Sequence, residues 1–548
     1  MSVKFREMEN KIIEKGKSSN IGSYVLHTSI VICLSLVLFT GISFAQTTAK
    51  PISEWLTFNG GFDAIRFSPL AQITPKNVES IVMVGGFTIT DTVRFQTGPV
   101  MIGRTLYFTT AFSTYAVDAI TGKFTWVHKF EGKGALLDNN RGVAYDKGKI
   151  FRSTLDAHVL ALDAKTGKVI WDVVAGNTAL GEYCCAACMV WGGRVYVATA
   201  GSDIGAIGRV MALDEKDGHR LWNFDIVPAK GPGSETWPSD PNKLRAGGGV
   251  WSSFSIDTQT GILYIPTGNP GPDFVPDYRP GDNLYTCCVI MLDATTGKLN
   301  GYHQFVRNDF HDWDMASSPI LFTSRSGKKM VAVAGKDGYL YGLDRKLGSV
   351  KYKVPVTTIF NAGAPITKEG TRFSPGTQGG VEWNGPAYSP ILNTLFVPAV
   401  DWASTVKLGE PEILLNATPG KIFAGSANGF GDLDPVEKSS GWITAVNAET
   451  GKVLWKYHAP KSMIAAVTPT ASGLLFTGDL DGNLLVFDAA TGKVLLKKKV
   501  GGPIGGGVIT YAIDGKQYLA IATGVNNSLF KTALGQSSLV IYSLPSRK

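Results

Sequence analysis

The sequence predicts an all-β protein, an eight-bladed β-propeller of four-stranded antiparallel blades whose ring is closed by N- and C-terminal strands. Two observations carry this expectation. A short phrase recurs seven times, at 116–126, 161–171, 212–222, 291–301, 342–352, 445–455 and 486–496: an aliphatic pair, Asp or Asn, a few small or polar residues, Gly, then usually Lys and Trp. Recurrence at roughly 40 to 50 residues marks propellers and solenoids. Between the copies stand short apolar runs such as Arg194-Val195-Tyr196-Val197, without the helical spacing that leucine-rich or α-helical repeats need.

Each copy reads as strand, turn, strand. In one of them Ala161-Leu162-Asp163-Ala164 ends a run, Thr166-Gly167-Lys168 turns, and Val169-Ile170-Trp171 opens the next. Gly supplies the positive φ and β-branched residues fill the pleat. The Asp or Asn of the phrase falls at 118, 163, 214, 293, 344, 447 and 488, which leaves two long intervals. Each long interval holds a variant hairpin, at 256–261 and 388–393, which reads as the first half of an enlarged blade. The last run, 539–544, keeps the aliphatic pattern without a turn or a partner strand. The N-terminal segment is expected to supply that partner and so remove the sheet edges.

Composition agrees with a single β domain over residues 46–548. The 548 residues are 44% hydrophobic and 18% charged, with 64 Gly, and can build an ample core. The net charge of +8 comes without a Lys/Arg cluster interleaved with aromatics, which argues against nucleic acid. Residues 1–45 read as a signal peptide: a Lys-rich start, an apolar run over 30–39, and Ser43-Phe44-Ala45 before Gln46. The run is shorter than the ~20 residues of a full span, so export with cleavage and no stable membrane insertion is expected. An uncleaved anchor helix is the alternative.

Five cysteines lie beyond that segment: Cys184, Cys185, Cys188, Cys287 and Cys288. Vicinal bridges, a Cys185–Cys188 bridge and buried thiols all remain open. Met189 follows Cys188 where covalent haem attachment needs His, and zinc lacks four ligands at sensible spacing.

Three stretches depart from the repeat. Gly247-Gly248-Gly249-Val250-Trp251 lets backbone approach a flat ligand that the indole can cover, and Asn269 offers a carbonyl oxygen in a loop fixed by Gly and Pro. Asn308-Asp309-Phe310-His311-Asp312-Trp313-Asp314 gathers three carboxylates, costly to hold together unless a cation or water reaches them. A strand there would set Asp312 and Asp314 on one face, as oxygen ligands for Ca²⁺ or another hard cation, with one carboxylate serving as general base. Gly335-Lys336-Asp337-Gly338 puts a cation beside a turn, where it can polarise a carbonyl or simply meet solvent.

Over nearly its whole length past residue 46, the chain resembles the PQQ-dependent (pyrroloquinoline quinone) alcohol dehydrogenases. The resemblance rests on the opening segment from Trp55 to Phe62 with Phe67 to Ile73, on Asn140-Arg141-Gly142-Val143-Ala144-Tyr145, and on the spacing from Trp251 to Asn269. It implies that Trp251 stacks on the quinone, approached closely by Gly249, that Arg141 contacts its carboxylates, and that Gln96 stands where the family has a cofactor-binding Glu. Asp203 takes the place of a metal-binding Glu, one methylene shorter, with Asn269 as the next ligand. Asp312 matches the catalytic base, Asp309 its acidic companion, and Lys336 the cation near the quinone carbonyls. Asp314 is the extra acid associated with lanthanide use, so Ca²⁺ is expected with a lanthanide ion as the alternative. The family's vicinal disulfide would fall at Ala135-Leu136, where there is no sulfur. Cys185, in a neighbouring segment at a cofactor-contacting position, is a replacement sulfur in this reading.

The resemblance further implies periplasmic oxidation of an alcohol to an aldehyde or ketone, by metal-assisted hydride transfer with Asp312 as base. The chain has no haem motif, so a separate cytochrome c is the expected electron acceptor. Two rivals stand beside this. A noncatalytic secreted propeller scaffold predicts no clustering of Asp203, Trp251, Asn269, Asp312 and Lys336, while a quinoprotein acting on sugars or polyols shares the site. The segment 357–380 before Glu382 is read as a shaper of the substrate entrance or a long surface loop.

Overall fold

The computed structural model describes residues 53–90, 94–132, 138–415, 417–532 and 535–546. The expected signal peptide and the Ala135-Leu136 position lie outside them. The fold is all-β and dominated by four-stranded antiparallel sheets, eight of them among the described residues. Seven take their strands consecutively from 100–129, 144–174, 189–225, 255–304, 320–355, 387–459 and 468–499. The two variant hairpins do open the enlarged sheets: Ser255–Asp257 pairs with Ile262–Pro266, and Ala387–Ser389 with Thr394–Asp401.

The eighth sheet joins the two ends of the described chain. Ser538–Ser543 pairs with Val82–Thr88 on one side and with Lys516–Thr523 on the other, and Ile504–Ile513 completes the sheet. The hairpin 504–523, turned by Asp514 and Gly515 with φ of 51° and 75°, gives Ser538–Ser543 a second partner that the sequence reading lacked. Asp-Gly between two apolar runs was its signal.

The recurring phrase explains itself in the contacts. Its Asp caps its own turn: Asp163 Oδ1 accepts from the Thr166 backbone N–H at 2.8 Å and from Thr166 Oγ1 at 2.7 Å. Its Trp ties neighbouring sheets: Nε1 of Trp126, Trp171, Trp222 and Trp455 donates to the carbonyl of Ala164, Glu215, Ala294 and Ala489, in each case the residue after the next phrase's acid. Tyr352 does the same through its hydroxyl to Ala448. The Gly of the next turn lies under that ring. A Cβ on Gly297 would come within 2.6 Å of Trp222, and its φ is +71°. The glycine is thus required by its backbone and by its neighbour.

Apolar packing follows the same order. One cluster is shared by the sheets over 100–129 and 144–174, the next by 144–174 and 189–225, and so on along the chain. The eighth sheet shares one cluster with 468–499 and another with 100–129.

Candidate active site

Antiparallel order within each sheet decides where loops fall. The phrase turns join third to fourth strands at one end. Segments leading into a first strand, and connections from second to third, lie at the other. Gln96, Arg141, Cys185, Trp251, Asp312, Asp314 and Glu382 all precede first strands. Asp203, Asn269 and Lys336 sit in second-to-third connections. All ten line one cavity of about 270 Å³. Residues dispersed along the chain therefore meet because they share one end of their sheets.

Trp251 is anchored from both sides. Gly248 N–H donates to Asn269 O at 2.8 Å and Gly268 N–H to Gly249 O at 2.9 Å, which knits the glycine run to the Asn269 loop. The Arg141 guanidinium lies 4.8 Å from the Trp251 ring centre and donates to the Trp251 carbonyl at 2.8 Å. Lys336 Nζ stands 5.5 Å from the same ring. Two cations over an indole form a cradle for a flat anionic ligand. Gln96 Oε1 accepts from Asn139 Nδ2 at 2.9 Å on the cavity wall. Cys185 Sγ lies 3.3 Å from Arg141 Nη1.

No disulfide links the five described cysteines, all of them buried thiols. Cys184 and Cys188 pack into the cluster between two sheets while Cys185 turns to the cavity, so the successive side chains diverge.

The acidic stretch is not a strand. Residues 309–316 run as irregular chain, and Asp312 has a left-handed φ of 65°, which Asp tolerates better than most residues. Lys336 gathers what a strand would have aligned: its Nζ is 3.1 Å from Asp312 Oδ2 and 2.7 Å from Asp314 Oδ2. Asp314 Oδ1 accepts from the Asn269 N–H at 2.7 Å and so ties the second stretch to the first.

Two expected site residues stand outside the cavity wall. Asp309 is buried behind it, and its carboxylate accepts from the backbone N–H of His311 at 3.2 Å and of Trp313 at 3.0 Å. It braces the turn that carries Asp312. Gly249 also lies behind the wall, its N–H donating to Ser202 Oγ at 2.8 Å, and a Cβ there would meet that oxygen.

Burial dominates the electrostatics. It pushes the Asp203 carboxyl up to about 6, with Asp314 adding repulsion. It pushes Asp312 well above the carboxylate range against the pull of Lys336, with Asp314 and Asp203 also raising it. Burial works against the charge of Lys336, but Asp312 and Asp314 hold its proton firmly. Glu382 rises to about 7 by burial, opposed by Lys336 and Arg141. One lysine does not neutralise this group, and a bound cation would.

Some of the site was not foreseen. Asp273, fully buried, accepts from Asn269 Nδ2 at 2.8 Å. Asp273 stands behind the cavity wall, whereas Thr377 and Gln378 of the 357–380 segment, Phe430, and Leu529 with Phe530 line it. They come from long connections that carry no repeat, and only Asp273, four residues past Asn269, had a local signal.

Oxygen atoms suited to a hard cation, beside two cations over an indole, suit a flat anionic ligand next to a metal ion. The comparisons with known proteins agree. A family profile described as glucose/ethanol/alcohol dehydrogenase, beta-propeller domain, of the PQQ group, matches residues 55–362. One described as outer membrane protein assembly factor BamB matches 439–524. The lanthanide-dependent methanol dehydrogenase of Methylacidiphilum fumariolicum is 29% identical, covering 87% of this chain and 85% of that one. The quinoprotein ethanol dehydrogenase of Pseudomonas putida is 29% identical over 86% of each. A europium-containing methanol dehydrogenase superposes with a TM-score of 0.79 at 26% identity, covering 90% of this chain and 98% of that one. The chain belongs to the PQQ-dependent alcohol dehydrogenase family. The family is PQQ-dependent, and two of these relatives are named for a lanthanide ion.

Proposed function

We propose that the protein oxidises an alcohol to an aldehyde or ketone in the periplasm, after loss of residues 1–45, and passes the electrons to a separate cytochrome c. The site would sit at the hub of eight blades in a closed ring. Support for that ring comes from the apolar clusters, which give each of the eight sheets two packing neighbours.

The observation that carries the reading is a pair of buried oxygens, Asn269 Oδ1 and Asp312 Oδ1, that lack a hydrogen-bond partner among the described residues. A buried polar atom is rarely left so. With Asp203 and Asp314 beside them, the donor set is all oxygen and fits Ca²⁺ or a lanthanide. Trp251 would take the quinone on its face, with Arg141, Gln96 and Cys185 at its edge. Clustering of these residues also speaks against a noncatalytic scaffold.

When bound, the quinone and its ion supply a two-electron acceptor with a polarised carbonyl. Asp312 takes the hydroxyl proton of the substrate. Its Oδ2 is held by Lys336, and Asp309 fixes the backbone on both sides of it. Lys336 also offers positive charge to the oxygen that gains electrons. An adjacent cation lowers the affinity of Asp312 for its proton and so keeps it a base.

The test is reconstitution with PQQ and Ca²⁺ or La³⁺, followed by an alcohol panel with an artificial electron acceptor. Asp312→Asn is expected to lower kcat by about 10² to 10⁴ while bound quinone absorbance stays. Full turnover in that variant removes the base assignment.

A further inference from the structure

Two side chains on the cavity wall hold N–H groups with nothing to donate to. Asn527 lines the cavity and is 1% exposed. Its Oδ1 accepts from the Leu529 N–H at 2.9 Å, while its Nδ2 is buried without a hydrogen-bond partner among the described residues. Arg94 lines the same cavity. Its Nη2 donates to Ser528 Oγ at 3.0 Å, and its Nη1 is buried without a partner among the described residues.

The backbone brings the two together. Arg94 bridges to Asn139 on one side and to Val525 on the other, so the segment ahead of the sheet over 100–129 is tied to the connection that carries Asn527 and Ser528. Asn139 holds Gln96 and stands two residues before Arg141. Arg94, Arg141 and Asn527 thus reach the wall from three adjoining segments.

The acids of the cavity do not account for these donors. Lys336 takes up Asp312 and Asp314. The charges that bear on Glu382 are those of Lys336, Arg141 and Asp314, and Arg94 is not one of them. No carboxylate among the described residues pairs with the Arg94 guanidinium. A guanidinium edge and an amide N–H left open on one wall fit a ligand that brings anionic oxygens, and a carboxylate has two to share between them.

We propose that Arg94 and Asn527 are positioning residues for the bound quinone: with Arg141 they form a carboxylate-binding end of the cavity that grips an anionic edge of the cofactor and so fixes how its ring lies on Trp251. The inference rests on the quinone reading above. It adds two side chains from connections outside the repeat.

Binding of PQQ and of its trimethyl ester to the cofactor-free full chain in Ca²⁺, read by quenching of tryptophan fluorescence, needs no turnover. The ester keeps the ring and loses the charges. Asn527→Asp keeps the oxygen that caps Leu529 and exchanges the donor for an acceptor, and Arg94→Gln removes the guanidinium. Each is expected to weaken PQQ binding by about tenfold or more and ester binding by less than about twofold. Equal loss for both ligands means that the two side chains only shape the wall, and overturns the proposal. PQQ affinity as in wild type in both variants overturns it too and leaves the quinone reading standing, whereas no PQQ binding by wild type overturns both. A crystal structure of the wild-type chain with PQQ depends on no variant. A carboxylate oxygen within about 3.2 Å of Arg94 Nη1 or Asn527 Nδ2 is expected, and carboxylates out of reach of both nitrogens remove the proposal.

Discussion

Lys336 is the residue on which the local chemistry turns, because among the described residues it alone pairs with both Asp312 and Asp314. Asp314→Ala should impair La³⁺-supported turnover more than Ca²⁺-supported turnover, and equal loss with both ions contradicts the added-charge argument. Glu382 makes a separate prediction. Its folded pKa, raised from the usual 4.5 to about 7, means the native state holds its proton more tightly than the unfolded chain. That stability is full below about pH 4.5 and is lost as pH rises through 7. Glu382→Gln should therefore raise the melting temperature of the cofactor-free protein at pH 8, by a gain on the order of 3 kcal/mol, and change it little at pH 4.5. An equal effect at both pH values contradicts it. That Trp251, Asn269, Asp312 and Lys336 share one cavity was legible in the sequence because they break the repeat with residue types that suit a flat ligand or an ion. Asp309 was read as the acidic companion of the base, since spacing along the chain does not reveal which carboxylate turns inward to cap backbone N–H groups.

At the scale of the element, the unit of stability is the joint between one sheet and the next. Trp222→Phe puts a smaller aromatic ring there and deletes the hydrogen bond to Ala294 O, a loss of about 1 kcal/mol for that bond. Gly297→Ala, with φ at +71° and a Cβ pressed on that ring, should cost about 2 kcal/mol. Calorimetric melting of both variants checks the order, and a harmless Gly297→Ala would contradict the docking account. The phrase was readable as a hairpin because Asp, Thr and Gly build their turn from neighbouring atoms. That its Trp reaches the following sheet was not readable, since the acceptor carbonyl lies about a repeat away. The 402–439 connection was equally silent: Ser404–Val406 joins a small three-stranded sheet with Thr371–Phe373 and Asp432–Leu433, and no periodicity announces it.

For the whole molecule, Ser538–Ser543 holds a central place. Leu539 and Ile541 enter the cluster shared with the sheet over 100–129, while Val540 and Tyr542 enter the one shared with 468–499. Removing 537–548 would strip both clusters and open two strand edges, and the chain should lose cooperative melting or aggregate. Removing only 545–548 should leave melting unchanged. The count of sheets was legible from the repeat, whereas the seam was legible only in part, because strand pairing between chain ends leaves no mark in either end alone. The central claim is that one quinone and one hard ion share the cavity over Trp251, with Asp312 as base. A single-turnover absorbance experiment on protein loaded with PQQ and La³⁺ tests it most directly. The account predicts one quinone per chain, reduced stoichiometrically on adding an alcohol, with reduction slowed in Asp312→Asn by about 10² or more. Failure to bind quinone at that stoichiometry, or equal reduction in the variant, would contradict it.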